Sequence, residues 1–107
     1  MNQWDVSFTD EAKRDYNALD PVALNQVDKA IRKVSQNPLP ESEGGYGKPL
    51  GHKRGRNLTG YFKIKLKKLG IRVVYKLVRT DEVMKIIIVA AREDDEVYDV
   101  AARRIDT

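Results

Sequence analysis

The stretch Gly60-Tyr61-Phe62-Lys63-Ile64-Lys65-Leu66-Lys67-Lys68-Leu69-Gly70-Ile71-Arg72-Val73-Val74-Tyr75-Lys76-Leu77-Val78 decides the fold. Phe62, Ile64 and Leu66 alternate with Tyr61, Lys63, Lys65 and Lys67, the period of a half-buried strand. Lys68-Leu69-Gly70 supplies a turn. From Ile71 the alternation resumes, with Ile71, Val73, Tyr75 and Leu77 set against Arg72, Val74, Lys76 and Val78. Two such runs across a short glycine-containing turn predict an antiparallel hairpin. Thr80-Asp81-Glu82 turns the chain once more, into a third strand from Val83 to Ala91 that is apolar enough to lie centrally.

Toward the N-terminus, Gln3 to Phe8 places Trp4, Val6 and Phe8 on one side of a further strand. Thr9 offers a capping hydroxyl, and Asp10 and Glu11 suit the positive end of a helix dipole, so a short helix runs on through Leu19. Asp20-Pro21 restarts the chain as a cap followed by proline at the first helical position. Leu24, Val27, Ile31 and Val34 then form one apolar stripe, and Asn37-Pro38 stops the helix. Leu39 to Thr59, rich in glycine, reads as a long basic surface loop within a single domain spanning residues 1–107. Beyond Ala91, acidic residues Glu93, Asp94 and Asp95 and basic residues Arg103 and Arg104 bracket a last helix with the polarity its dipole favours. The predicted fold class is α+β. Its order is β-α-α-β-β-β-α: a mainly antiparallel twisted sheet, an N-terminal helical hairpin and a C-terminal helix. The helices should cover the face carrying Phe62, Ile64 and Leu66, leaving Lys63, Lys65, Arg72 and Lys76 on the other.

Charge points to the partner. Between Gly44 and Thr80 lie eleven Lys and Arg residues and no Asp or Glu, whereas the flanking segments are acidic on balance. An unneutralised block of this kind fits a polyanion, with nucleic acid the natural candidate. A solvated sheet face would be the plain alternative, but solubilising faces mix their signs. The cationic density also continues through Arg54, Arg56, Arg72, Lys76 and Arg79. The absence of cysteine excludes disulfides and a thiol nucleophile, and the single histidine excludes a multi-histidine metal site. No apolar run is long enough to span a bilayer, and no signal segment is visible, so the expected location is the cytoplasm.

Three residues invite a chemical role and also have a plain structural one. His52 has the right intrinsic chemistry for a general base, but it sits in a glycine-rich segment with no held geometry in view. Arg92, where the apolar strand ends, could equally pair with Glu93 or Glu96. Tyr98 lies at the edge of the helical stripe Val97, Val100 and Ala101, where it could simply pack with its hydroxyl in water.

Taken in order, Gly60-Tyr61-Phe62-Lys63-Ile64-Lys65-Leu66, Gly70-Ile71-Arg72-Val73-Val74-Tyr75, Ala91-Arg92-Glu93-Asp94-Asp95-Glu96-Val97-Tyr98 and Ala102-Arg103-Arg104-Ile105 resemble the RelE branch of the RelE/ParE toxin superfamily. The resemblance covers nearly the whole chain. It implies the toxin of a type II toxin–antitoxin system, an endoribonuclease that cuts messenger RNA in the ribosomal A site without a metal or other cofactor. In that chemistry the 2′-hydroxyl attacks the adjacent phosphate, leaving a 2′,3′-cyclic phosphate and a free 5′-hydroxyl. Carried over by motif position, the site residues are Lys63, Lys65, Arg72, Arg92 and Tyr98. Lys63 and Lys65 would meet the backbone, with Lys65 either protonating the leaving group or stabilising charge. Arg72 and Arg92 would hold the scissile phosphate, and Tyr98 would orient or activate the 2′-hydroxyl, or stack on a base.

Lys48, Lys53, Arg54, Arg56, Lys67, Lys68 and Lys76 would form the surround that contacts ribosomal and messenger RNA. Lysine and tyrosine ordinarily titrate far from neutrality, so such a site should depend on the ribosome to position its substrate. The resemblance further implies a small acidic, partly disordered antitoxin. The sequence departs from the family pattern in a longer, more basic segment from Gly44 to Thr59, and in having no histidine near the C-terminus. Two other readings remain at this level: a ParE-like inhibitor of DNA gyrase, and a non-catalytic RNA-binding module.

Overall fold

A computed structural model describes residues 3–53, 56–91 and 94–105, with the backbone alone at 52, 53, 56, 57, 90, 91, 94–96 and 98. Along the chain run β1 (Asp5–Phe8), α1 (Asp10–Asn17), α2 (Pro21–Val34), a 3-10 turn (Glu41–Glu43), β2 (Lys48–Lys53), β3 (Arg56–Leu66), β4 (Ile71–Val78), β5 (Val83–Ala91) and α3 (Asp94–Ile105). The strands make one five-stranded sheet in the order β1-β5-β4-β3-β2. β1 lies parallel to β5, and every other pairing is antiparallel. The α+β architecture is the one the hydrophobic periods predict.

The segment 39–59 is not the loop it was expected to be. It contains the 3-10 turn and β2, and β3 already begins at Arg56. β2 (Lys-Pro-Leu-Gly-His-Lys) shows no usable alternation, because it carries a proline, a glycine and a register shift between Pro49 and Gly51. As the edge strand it tolerates Pro49, whose missing N–H takes nothing from the interior of the sheet.

Two apolar layers flank the sheet. On one face Phe62, Ile71, Val73, Tyr75, Met84, Ile86 and Val89 pack against Ala12 of α1 and Val27, Ile31 and Val34 of α2. Thr9 and Asp20 cap these helices, accepting from the N–H groups of Ala12 and Ala23 at 3.1 and 2.8 Å. On the other face Val97 and Ala101 of α3 meet Leu50, Leu58, Val74, Ile87 and Ile88. That face is therefore not an open cationic surface throughout: Val74, between Arg72 and Lys76, is fully buried.

β5 serves both layers because it bulges twice, between the partners of Arg72 and Val74 and again between those of Val74 and Tyr75. The bulges turn the consecutive residues Ile87 and Ile88 to the α3 side, whereas Ile86 and Val89 face α1 and α2. β1 is shorter than its pattern predicted. Phe8 packs on Tyr16 with ring centroids 5.4 Å apart, but Val6 stays 36% exposed because α1 lies mainly over β5.

Candidate active site

The β3–β4 hairpin closes through Lys67 to Gly70. Gly70 adopts φ +67° and donates its N–H to the Leu66 carbonyl at 2.9 Å. This turn puts Leu66 opposite Ile71, which in turn sets Lys65 opposite Arg72 and Lys63 opposite Val74. On the far side of β4, Arg72 is paired with Ala91, the last residue of β5. One row thus crosses three strands as Lys65, Arg72 and Ala91, with Lys63 one step along the same face. Lys65 is exposed, and Lys63 and Arg72 are half-buried.

Like charges face each other repeatedly in this sheet. Lys48 is opposite Lys63, Lys65 opposite Arg72, and Lys76 opposite Lys85. Directly opposed like charges weaken a sheet pairing by themselves, and their accumulation fits a surface arranged for an anion.

Of the five residues expected at the site, Lys63, Lys65 and Arg72 fall into one patch. Arg92 lies outside the described residues, although the row ends at Ala91, its immediate neighbour in sequence. Tyr98 lies in α3, the helix that packs on the same sheet face; its backbone is described and its side chain is not.

The expected surround divides similarly. Lys48 is exposed at the head of β2, and Lys67 and Lys68 are exposed at the hairpin turn. The Lys76 ammonium stands 5.9 Å from the centre of the Tyr61 ring, directly across the strands. Tyr61 is itself half-buried, which raises its pKa above the usual tyrosine value. Lys53 and Arg56 pair at the β2–β3 hairpin, and His52 pairs with Asn57, all by backbone alone. Arg54 lies outside the described residues, and so does the question of side-chain geometry at His52.

Arg79 does not join the cationic density it was read into. Its guanidinium makes a bidentate pair with Glu43 at 3.0 and 2.7 Å. The contact lowers the carboxyl pKa of Glu43 and raises that of the guanidinium.

Tyr46, which the sequence pattern does not single out, is a 45% exposed aromatic two residues before β2. Its signal was the flanking pair Gly45 and Gly47. Among the described residues, no group of His, Asp and Glu is arranged to hold a metal, and no helix is long and apolar enough to cross a membrane.

The sheet order, the two-sided helix cover and the cationic hairpin define a RelE-like α+β fold. No family model matches the chain. In sequence it is 26% identical over 104 residues to a RelE-like toxin protein of Escherichia coli, covering 96% of this chain and 98% of that one. It is 29% identical over 100 residues to the mRNA interferase toxin RelE of Escherichia coli K12, covering 94% and 95%. Among solved structures, a mutant of the Escherichia coli toxin RelE in the free state superposes with a TM-score of 0.73 at 27% identity, over 97% of this chain and 99% of that one. The RelBE2 toxin–antitoxin complex of Mycobacterium tuberculosis gives 0.66 at 28% identity, over 85% and 100%. The chain thus resembles RelE-type toxins over nearly its whole length, in sequence and in fold alike.

Proposed function

We propose that this chain is the toxin of a toxin–antitoxin pair and acts in the cytoplasm as a ribosome-dependent endoribonuclease on messenger RNA. The observation that carries the reading is the row Lys65, Arg72 and Ala91, which joins two cations to the strand end preceding Arg92. Such a group suits a phosphate whose charge grows during in-line attack by the neighbouring 2′-hydroxyl. Arg72 and Arg92 hold the phosphate oxygens through planar forks, Lys63 and Lys65 meet the backbone, and Tyr98 orients the attacking hydroxyl. Lys65 serves the leaving 5′-oxygen. The cyclic phosphate and free 5′-hydroxyl that result require no metal.

The solved RelBE complexes among the structural neighbours support an antitoxin partner. For this chain it would be an acidic segment that orders on the basic face and screens its opposed charges. Lys48, Lys53, Arg54, Arg56, Lys67, Lys68 and Lys76 then serve as ribosome and RNA contacts around the site.

Incubating the purified protein with programmed ribosomes and mapping RNA 5′-ends tests the reading. Cuts within the A-site codon are expected. Arg92→Ala and Tyr98→Phe should abolish them while leaving the thermal unfolding cooperative. Full cleavage by both variants would discard the site assignment. Trapped gyrase–DNA adducts with intact messenger RNA would replace the ribonuclease reading by gyrase inhibition.

A further inference from the structure

Tyr46 is held out deliberately. Its own N–H donates to the Asn37 carbonyl at 2.9 Å, and the N–H groups of Gly45 and Gly47 on either side donate to Pro40 and Leu39 at 3.1 and 2.9 Å. A side chain at Gly45 or Gly47 would collide with the backbone of residues 38–39, so the segment lies flush against its neighbour and only the tyrosine projects. A backbone fixed this tightly makes an aromatic ring a rigid platform.

The ring borders a cavity of about 300 Å³ at the sheet edge. β2 pairs with β3 no further than Lys63, so the cavity opens where the β3 edge continues, and Lys63, Ile64 and Lys65 all border it. Lys33 and Lys48 stand on its other sides, against a single carboxylate, Glu41, among the lining residues. The Lys33 ammonium lies over one face of the Tyr46 ring, 5.3 Å from its centre, so a base would stack on the opposite face. An exposed aromatic beside four lysines is the composition of a stacking platform for single-stranded nucleic acid, in which the ring takes a base and the cations take the phosphates. An acidic peptide strand added to the same edge would meet the cations but would leave the exposed ring without a stacking partner.

We propose that this cavity takes one nucleotide of the substrate RNA next to the scissile phosphate, its base stacked on Tyr46 and its phosphate held by Lys48 and Lys63. The inference rests on the ribonuclease reading for the identity of the RNA, and Lys63 and Lys65 are shared between the cavity and the hairpin patch. Glu41 accepts hydrogen bonds only, so it favours a base with adjacent N–H donors on its edge, of which guanine offers the best pair.

The test titrates the full-length protein with a 2′-O-methylated RNA decamer, which cannot be cleaved, while following tyrosine ring protons by NMR; Tyr46→Phe assigns the resonance. An upfield shift of the Tyr46 ring is expected. Binding should weaken about tenfold in Tyr46→Ala and stay within about twofold in Tyr46→Trp. On programmed ribosomes Tyr46→Ala should raise the half-saturating toxin concentration by a similar factor, and Lys48→Ser should do the same without touching the aromatic platform. An unmoved ring together with unchanged saturation in both variants overturns the cavity while leaving cleavage intact. A ring that shifts in a protein unable to cut messenger RNA keeps the cavity and discards the ribonuclease reading. A ring that answers only to an acidic peptide also overturns the proposal.

Discussion

Arg104 grips Asp15 through its two terminal guanidinium nitrogens, at 2.8 and 3.2 Å, across the stretch of β5 that β1 leaves unpaired. β1 pairs with β5 only as far as Ile86. Beyond that point the two side chains substitute for a strand: Arg104 donates to the Ile87 carbonyl at 2.6 Å, and Asp15 accepts the Val89 N–H at 3.1 Å. The pair ties α1 and α3 to one strand, although these helices pack on opposite faces of the sheet. It also closes an edge that would otherwise present free backbone groups.

Arg104→Ala should therefore cost more than an exposed ion pair would. The two side chains are only 21% and 23% accessible, and the substitution strands the Ile87 carbonyl as well as the carboxylate. A loss of about 2–3 kcal/mol is expected in urea unfolding. Asp15→Asn keeps an acceptor for Val89 and should cost roughly half as much by the same reasoning. Equal, small losses in both variants would show that the edge is satisfied in another way.

Tyr75 gives the protein an alkaline limit. Its hydroxyl is fully buried and donates to the Pro38 carbonyl at 2.8 Å, and burial pushes its pKa well above the usual tyrosine value. The folded chain thus keeps a proton that the unfolded chain releases at about pH 10. Stability from this group is complete below that pH and falls as pH rises beyond it toward the folded value. Tyr16 and Tyr61, also raised, act in the same direction, so the difference between wild type and Tyr75→Phe isolates the one residue. At pH 7 the variant should be about 1–3 kcal/mol less stable, because the carbonyl loses its donor. Between pH 10 and 11 its stability should decline less steeply than that of wild type. Parallel decline in the two proteins would sink the assignment.

What could be read from the sequence followed from short-range physics. The period-two runs flanking Gly70 give the hairpin, and the length of its turn fixes the register that sets Lys65 against Arg72. Asp20-Pro21 and the stripe through Val27, Ile31 and Val34 give α2 its start and its buried face. β2 was hidden because Pro49 and Gly51 erase alternation on an edge strand, where a partner supplies the order. The double bulge in β5 was hidden as well, since a continuous apolar run does not say which residue faces which layer. At the site, pairing brings together Lys63, Lys65 and Arg72, whereas the parts assigned to Arg92 and Tyr98 come from family resemblance. Tyr46 escaped notice because its position depends on close backbone approach by residues 37–40, which no local pattern encodes.

Two adjacent glycines should answer differently to the same substitution. At Gly44, φ is +86° and the space around a Cβ is open, so Gly44→Ala should cost only the left-handed penalty of about 1–2 kcal/mol. Gly45 has no such conformation, but its Cβ would lie 2.0 Å from the Leu39 carbonyl oxygen and 2.6 Å from the carbonyl carbon. Backbone cannot yield that much locally, so Gly45→Ala should cost about 3 kcal/mol or more. It should also shift the Tyr46 ring resonances in the free protein, whereas Gly44→Ala should not. Thermal melts and one spectrum of each variant decide the matter.

The opposition of Lys65 and Arg72 makes the sharpest prediction, because stability and function should move apart. Directly facing cations cost a sheet about 0.2–1 kcal/mol, and threonine suits a strand better than lysine does. Lys65→Thr should therefore be as stable as wild type or slightly more so in urea unfolding at low salt, with the gain vanishing as salt screens the repulsion. The same variant should lose messenger-RNA cleavage on ribosomes by at least about a hundredfold if Lys65 serves the leaving oxygen. Its binding of single-stranded RNA should change more gently, with the slope of log K against log salt becoming shallower by about 0.7 for the one phosphate contact removed. A variant that is destabilised yet still cleaves would mean that Lys65 is a structural residue and that the row across β3, β4 and β5 is not the site of the chemistry.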